Sequence, residues 1–231
     1  MVKKTREKFK TMHNVFDQFT DRNIFKLISE GHFEGLIGQL TLGKESNVFL
    51  AKKGTGRVIV KIYRLHTCDF NRMYDYIKYD PRYHHLKKRK REIIFAWAQR
   101  EFRNILKARE AGVNVPKPIS FKFNILVLEL IGDPAPQLKD AIPKNPKIFL
   151  NKIVDMMRKM YNAGLVHADL SHFNILNDNE IPYVIDWSQC TPLENPRAIE
   201  FLKRDVKNIV AFFRKIGVDA NEGDTYKKIV K

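Results

Sequence analysis

Three polar residues in the C-terminal half have types and spacing that suit phosphoryl transfer. Asp169 lies in His167-Ala168-Asp169, Asn174 follows it five positions later, and Asp186 ends the apolar segment Tyr183-Val184-Ile185. One carboxylate can orient a nucleophile, while an amide oxygen and a second carboxylate can hold Mg²⁺ against triphosphate oxygens. Singly, Asp169 could cap a turn and Asn174 could be an ordinary loop residue. As a set, their spacing predicts Asp169 as the catalytic carboxylate and Asn174 and Asp186 as metal ligands.

A lysine in a predicted strand provides a second element of this chemistry. Lys61 lies in Val60-Lys61-Ile62-Tyr63, where a buried ammonium group needs anionic partners. Glu101, on a predicted long helix, is the candidate carboxylate, and a strand lysine paired with a helix glutamate clamps phosphates in kinases. A simple charge on an edge strand remains an alternative for Lys61, and Glu92 is an alternative partner.

Two further segments are candidates for nucleotide contacts. Thr41–Val48 lies between predicted strands, and its small and polar residues can offer backbone N–H groups and hydroxyls to phosphate. A polar hairpin turn would have a similar sequence. Glu129–Ile131 closes a predicted buried strand, where backbone groups can hydrogen-bond an adenine edge, although the apolar side chains there fit a plain core.

The elements that must position these residues alternate between strand-rich and helix-rich regions. We predict a helix within residues 15–30, with Thr20 and Asp21 as a possible cap of a second helix inside that span. Residues 66–91 are predicted as a mobile connection and residues 132–146 as a hinge. The remaining predictions are a β-hairpin of Val48–Ala51 and Val58–Tyr63, strands Ile125–Leu130, Ile175–Leu176 and Tyr183–Ile185, and helices Ile93–Glu110, Ile148–Asn162 and Ala198–Lys215.

This order predicts an α+β fold with two lobes and a cleft between them. The predicted division is an N-terminal helical extension (1–32), an N-lobe with a sheet and a long helix (33–131), and a mostly helical C-lobe (132–231).

The charge and composition limit the possible partners and compartment. A formal net charge of +16 favours polyanions such as RNA or acidic protein surfaces, although it could also be a solubilising surface. No stretch approaches the roughly 18 apolar residues of a membrane helix, and the basic N-terminus lacks the apolar region of a secretory signal. The two distant cysteines form neither a metal motif nor a disulfide framework. We therefore expect a cytoplasmic protein without membrane contact.

From about residue 14 to 218 the chain resembles the RIO family of atypical serine/threonine-protein kinases. The resemblance rests on Gly43–Val48, Val60–Arg64, His167–Ser171, Ile185–Gln189 and Leu202–Val206, and the short segment before the phosphate loop favours the first RIO subfamily. It implies a bilobal kinase fold with a reduced C-terminal lobe, ATP with Mg²⁺ or Mn²⁺, and phosphorylation of Ser or Thr. It also implies a role in small ribosomal subunit maturation, with pre-ribosomal RNA and ribosomal proteins as partners.

Carried over residue by residue, the resemblance implies roles for ten positions. It places Lys61 and Glu101 on phosphate, Asp169 as the catalytic Asp, Asn174 and Asp186 on metal, Lys44, Ser46 and Val48 in the phosphate loop, and Glu129 and Ile131 at the adenine hinge. The chain departs from ordinary protein kinases at Ala168 and Ser171, which replace an Arg and a Lys, and from other RIO members at His172 and Phe173.

Several functions remain open at this point. Within the RIO family, transfer to Ser or Thr competes with ATP hydrolysis as a conformational switch, through a phospho-Asp at Asp186. A small-molecule phosphotransferase of the aminoglycoside or choline type also uses the Asp169–Asn174 pattern, but the short, basic chain argues against a cationic substrate. A non-catalytic RNA-binding scaffold is the third alternative.

Overall fold

The computed structural model describes residues 16–231. The first fifteen residues of the predicted N-terminal extension therefore lie outside the described part. Helix α1 (Gln18–Ser29) begins at Asp17, whose carboxylate accepts a hydrogen bond from the Thr20 backbone N–H at 3.0 Å. The predicted helix is confirmed, but the second start at Thr20 and Asp21 is wrong because Asp17 already caps one continuous helix.

A five-stranded antiparallel sheet follows α1, with the strand order β1-β2-β3-β5-β4. The predicted hairpin is confirmed, although both of its strands are longer than predicted. A two-residue turn joins them, and Gly54 in that turn has a φ of 57°, which favours glycine. The strands are β1 (Gly35–Leu42), β2 (Ser46–Lys53), β3 (Gly56–Tyr63), β4 (Pro118–Lys122) and β5 (Ile125–Glu129).

The segment predicted as a mobile connection contains regular structure instead. Helix α2 (Phe70–Ile77) buries Met73 and Ile77, four positions apart, and a 3₁₀ turn follows at Pro81–Tyr83. The basic residues 87–91 follow, and the first part of this run packs back on α2, since the Lys88 ammonium lies 5.4 Å from the centroid of the Tyr74 ring. Helix α3 then spans Lys90–Glu110.

The second half of the chain is mostly helical, as predicted. The hinge segment begins with a turn in which Gly132 has a φ of 63° and a Cβ there would lie 2.7 Å from the Ala135 nitrogen, so the turn needs glycine. The elements that follow are α4 (Pro146–Asn162), β6 (Leu165–Val166), β7 (Ile175–Asp178), β8 (Ile181–Val184), β9 (Thr191–Pro192), α5 (Ala198–Lys215) and α6 (Glu222–Val230). Helix α6, which begins at the Asn221 cap, was not predicted.

Two hydrophobic clusters hold these elements together. The larger cluster joins α3, α4 and α5, and includes Trp97, Phe149 and Phe213. The smaller one packs α1 against one face of the sheet through Leu27 and Phe49. The α+β, two-lobed architecture is confirmed, while the domain boundaries at 32 and 131 stay predictions. Among the described helices, none is both long and apolar enough to cross a bilayer.

Candidate active site

Lys61 joins two acidic residues that lie far from it in the sequence. Its ammonium group lies 2.8 Å from Glu101 Oε1 and 2.9 Å from Asp186 Oδ1. Strand β3 brings the lysine to this point, α3 brings Glu101, and the segment after β8 brings Asp186. The side chains of Lys61 and Glu101 are 8% and 1% exposed, whereas that of Asp186 is 42% exposed. Asp186 therefore remains open to a ligand.

The electrostatics of this ion cluster follow from burial and opposite charge. Burial opposes the charged form of Lys61, but Asp186 and Glu101 together raise its pKa above the usual value. Burial also opposes ionisation of Asp186, yet Lys61 and the hydroxyl of Ser188 lower its pKa to about 2. For Glu101 desolvation prevails over Lys61, and its pKa is raised. At neutral pH the cluster therefore presents an ionised, partly exposed Asp186.

Tyr63 completes the environment of Glu101. Its hydroxyl donates to Glu101 Oε2, while Lys61 holds Oε1. Tyr63 lies two positions after Lys61 on β3, so both side chains face the same side of the strand. The two-residue spacing of Lys61 and Tyr63 was visible in the sequence, but no role was predicted for Tyr63.

The loop after β6 presents Asp169 and Asn174 to the same cleft. The Asn174 amide nitrogen donates to the Asp169 carbonyl oxygen at 2.9 Å, which leaves the amide oxygen as the atom suited to a metal. Desolvation and the nearby charge of Asp186 raise the pKa of Asp169. Burial lowers the pKa of His167 to about 4, so that its neutral ring can donate from Nε2 to the Ile185 carbonyl, 3.1 Å away. His167 thereby ties the loop to the segment that carries Asp186.

Asp205, on α5, holds the backbone of this loop. Its two oxygens accept hydrogen bonds from the backbone N–H groups of Ala168 (2.8 Å) and Leu170 (2.9 Å), on either side of Asp169. Ala168 has a φ of 65°, a conformation that a non-glycine residue adopts only when its surroundings hold it there. Burial raises the pKa of Asp205 to about 7, although the two hydrogen bonds lower it. In the sequence, Asp205 belonged to a motif of the resemblance, and this role was not predicted for it.

Two of the predicted nucleotide-binding residues, Val48 and Ser46, lie on β2, the strand next to that of Lys61. Val48 is opposite Lys61 in the β2–β3 pairing, and Ser46 is opposite Tyr63. Lys44 is exposed at the tip of the β1–β2 turn. That turn is tight, because a Cβ on Gly43 would lie 2.7 Å from the Ser46 carbonyl oxygen.

The two predicted hinge residues lie at the end of β5. The Glu129 carboxylate accepts a hydrogen bond from the Lys117 backbone N–H, so its side chain is engaged at the sheet edge. Ile131 is 7% exposed, and its carbonyl accepts from the Ala135 N–H. The adenine-binding roles of Glu129 and Ile131 therefore stay predictions that concern their backbone groups.

Asn174 and Asp186 fit a hard divalent cation that also binds phosphate. Mg²⁺ is usually bound by one or two protein oxygens together with substrate phosphates and water, rather than by a cage of side chains. The described residues contain no cluster of three or more His, Cys, Asp or Glu that could hold a metal. The ionised and accessible Asp186 is the observation that favours such a site.

Comparisons with known proteins identify the relatives of this chain. The family model of the RIO domain matches residues 47–226. The chain is 41% identical to the RIO-type serine/threonine-protein kinase Rio1 of Haloferax volcanii, over 97% of this chain and 79% of that protein. It is 42% identical to the Rio1 of Methanocaldococcus jannaschii, over 96% and 78% of the two chains.

The solved structures support the fold. The Rio2 kinase–ADP/Mg²⁺–phosphoaspartate complex from Chaetomium thermophilum matches with a TM-score of 0.69 and 22% identity, over 90% of this chain and 65% of that one. The chain thus spans just under two thirds of that structure. The family model and the two archaeal relatives show that this chain belongs to the RIO family of serine/threonine-protein kinases, in its Rio1 subfamily.

Proposed function

We propose that the site formed by β3, α3 and the two segments that carry Asp169 and Asp186 catalyses Mg²⁺-dependent phosphoryl transfer from ATP. The observation that carries this proposal is the contact of Lys61 with both Glu101 (2.8 Å) and Asp186 (2.9 Å). It brings a phosphate-binding cation and a metal-binding carboxylate to one point. Asn174 and Asp186 would hold the Mg²⁺, which would supply positive charge to offset that of the ATP phosphates.

The chain's own groups divide the remaining work. Lys61 stays protonated because of its two carboxylate neighbours, and it binds a phosphate oxygen of ATP. Glu101 and Tyr63 hold its position. Asp169 orients the attacking hydroxyl and accepts its proton, a task that suits its raised pKa.

Radiolabelled γ-phosphate of ATP tests this proposal directly. We expect transfer to dephosphorylated casein, or release as phosphate, to require Mg²⁺ and to fall by at least about 100-fold in Asp169→Asn. The matched control is Asp178→Asn, which removes the same charge from β7. Full activity of Asp169→Asn, or an equal loss in Asp178→Asn, would reject the assignment. The absence of Mg²⁺-ATP binding by the wild type would instead favour a scaffold.

The second question is the acceptor of the phosphoryl group. Besides a Ser or Thr hydroxyl, Asp186 itself is a candidate, because its carboxylate is ionised and partly exposed. In that reaction an Asp186 oxygen bonds to the γ-phosphorus as the bond to ADP breaks. Water then attacks this phosphorus, Asp169 takes the proton of the water, and phosphate leaves with release of the carboxylate. The related Rio2 kinase, whose structure is a complex with ADP, Mg²⁺ and phosphoaspartate, supports this route.

The stability of the labelled protein separates the two acceptors. A phospho-Asp is cleaved by hydroxylamine, whereas phosphoserine is stable in acid. We expect hydroxylamine-sensitive label that accumulates in Asp169→Asn, in which hydrolysis is slowed. Acid-stable phosphoserine as the sole rapid product would reject the phospho-Asp route and leave protein phosphorylation as the activity.

We further propose a cytoplasmic role on the pre-ribosomal small subunit, with its RNA and ribosomal proteins as partners. The net charge of +16 supports a polyanionic partner, and the resemblance to the RIO family implies this one. We expect binding to small ribosomal subunits to weaken steeply with salt, as neutralisation of phosphates requires. Large subunits serve as the control, and equal affinity for both would contradict the proposal.

A further inference from the structure

The turn directly after Asp186 contacts the carboxylates of Asp186 and Asp169. Ser188 Oγ donates to Asp186 Oδ1 at 2.8 Å, and Gln189 Nε2 donates to Asp169 Oδ2 at 3.1 Å. We propose that residues 187–190, named here the positioning turn, orient both carboxylates, Ser188 acting on Asp186 and Gln189 on Asp169. This inference rests on the proposed phosphoryl transfer and assigns two positioning residues to it.

The two contacts leave one free oxygen on each carboxylate. Lys61 and Ser188 both bind Oδ1 of Asp186, so Oδ2 is the oxygen left for a cation. On Asp169, Gln189 takes Oδ2 and leaves Oδ1 for the proton of the attacking hydroxyl. A carboxylate that is held through one oxygen presents the other in one direction, which is what transfer of a proton or binding of a metal requires.

The amide of Gln189 is used only through its nitrogen. The side chain is buried, and its Oε1 has no hydrogen-bond partner within the described part of the chain. A rotated amide would place Oε1 against the Asp169 carboxylate, so the hydrogen bond itself sets the orientation.

Side chains of helix α3 bind the backbone carbonyls of the positioning turn. Arg100 Nη1 donates to the Ser188 carbonyl and Asn104 Nδ2 donates to the Cys190 carbonyl, both at 2.9 Å. Arg100 is itself held by Asp80 at 3.0 Å, and both side chains are fully buried. The same helix carries Glu101. The orientation of the Asp169 and Asp186 carboxylates is therefore linked to α3, whose Glu101 also binds the Lys61 ammonium group.

The two positioning residues act through different partners, so their loss changes different kinetic parameters. In Gln189→Met we expect kcat to fall about 10- to 100-fold, with the KM for ATP and the Mg²⁺ requirement within about twofold of wild type. In Ser188→Ala we expect the Mg²⁺ concentration for half-maximal rate to rise about five-fold or more. Gln18→Met, an exposed substitution of the same kind on α1, serves as the control and leaves both values unchanged.

A double-mutant cycle separates positioning from general damage to the fold. Single-turnover rates are measured for wild type, Gln189→Met, Asp169→Asn and the double variant, with melting curves for each. Because Gln189 acts through Asp169, we expect the Gln189 substitution to have no further effect in Asp169→Asn. Equal loss in both backgrounds, or an unchanged kcat in Gln189→Met, overturns the inference while the proposed function stands. Absence of wild-type turnover with Mg²⁺-ATP overturns both.

Discussion

Replacement of Lys61 by Met removes the cation from a buried ion cluster and keeps a similar side-chain volume. Glu101 is 1% exposed and loses its charge partner, which for a broken buried pair costs about 3–5 kcal/mol. Asp186 is 42% exposed, so water stabilises its charge in the variant and its lost contact adds little to this cost. We therefore expect a loss of about 3–4 kcal/mol at neutral pH. For a chain of this size that loss corresponds to a Tm lower by about 6–15 °C.

The destabilisation should depend on pH in a defined direction. Burial already raises the pKa of Glu101, and it rises further when Lys61 is absent. The folded variant then binds a proton that the unfolded chain releases, so its stability falls as pH rises through this raised pKa. The difference in Tm between wild type and Lys61→Met should consequently be smaller at pH 5 than at pH 8.

Calorimetric melting curves at pH 5 and pH 8 measure this effect, with Lys53→Met as a matched control. Lys53 is exposed at the end of β2, and its replacement removes the same charge without leaving a buried carboxylate unpaired. A Lys61→Met variant as stable as Lys53→Met, or a Tm difference equal at both pH values, would refute the reasoning.

Two further predictions concern groups that hold the site in place. Tyr63→Phe leaves Glu101 Oε2 without its donor, and we expect a loss of about 1–2 kcal/mol in the free energy of unfolding, measured in urea; unchanged stability would contradict the contact. Asp205 has a pKa raised to about 7, so the folded chain binds a proton between about pH 4 and pH 7 and its stability falls as pH rises through that window. Asp205→Asn should flatten this dependence in urea titrations at several pH values, and a profile identical to wild type would contradict it.

The sequence alone located the residues whose signal is local. Asp169, Asn174 and Asp186 were predicted as site residues because they lie close together in the chain with a fixed spacing. Lys61 was found because a lysine in an apolar strand requires partners, and the structure supplies Glu101 as predicted. The long helices α3, α4 and α5 were also predictable, since an apolar face repeats along each of them and a glycine of positive φ follows each one.

The contacts that complete the site depend on tertiary structure. Two sets of hydrogen bonds join segments that meet only in the folded chain. Gln189 donates to Asp169, and the backbone N–H groups of Ala168 and Leu170 donate to Asp205. A sequence pattern of period 2 or 3.6 carries no information about such pairs.

Helix α2 was missed for a different physical reason. Its apolar positions Met73 and Ile77 are few among aromatic and charged neighbours, and they become a core only against α3. The burial of Asp80 likewise has no signal in the sequence, because it depends on the ion pair with the buried Arg100. In both cases burial is decided by a partner element rather than by the segment itself.

The proposed function requires that Lys61 and Asp186, which lie 2.9 Å apart, bind the nucleotide and its metal ion together. Calorimetric titration of ATP, with and without Mg²⁺, into wild type, Asp186→Asn and the exposed control Asp219→Asn tests it most directly. The account predicts that Mg²⁺ strengthens ATP binding at least about tenfold in wild type and in Asp219→Asn, and that Asp186→Asn abolishes this gain. ATP binding that is indifferent to Mg²⁺, or a gain that survives in Asp186→Asn, would contradict it.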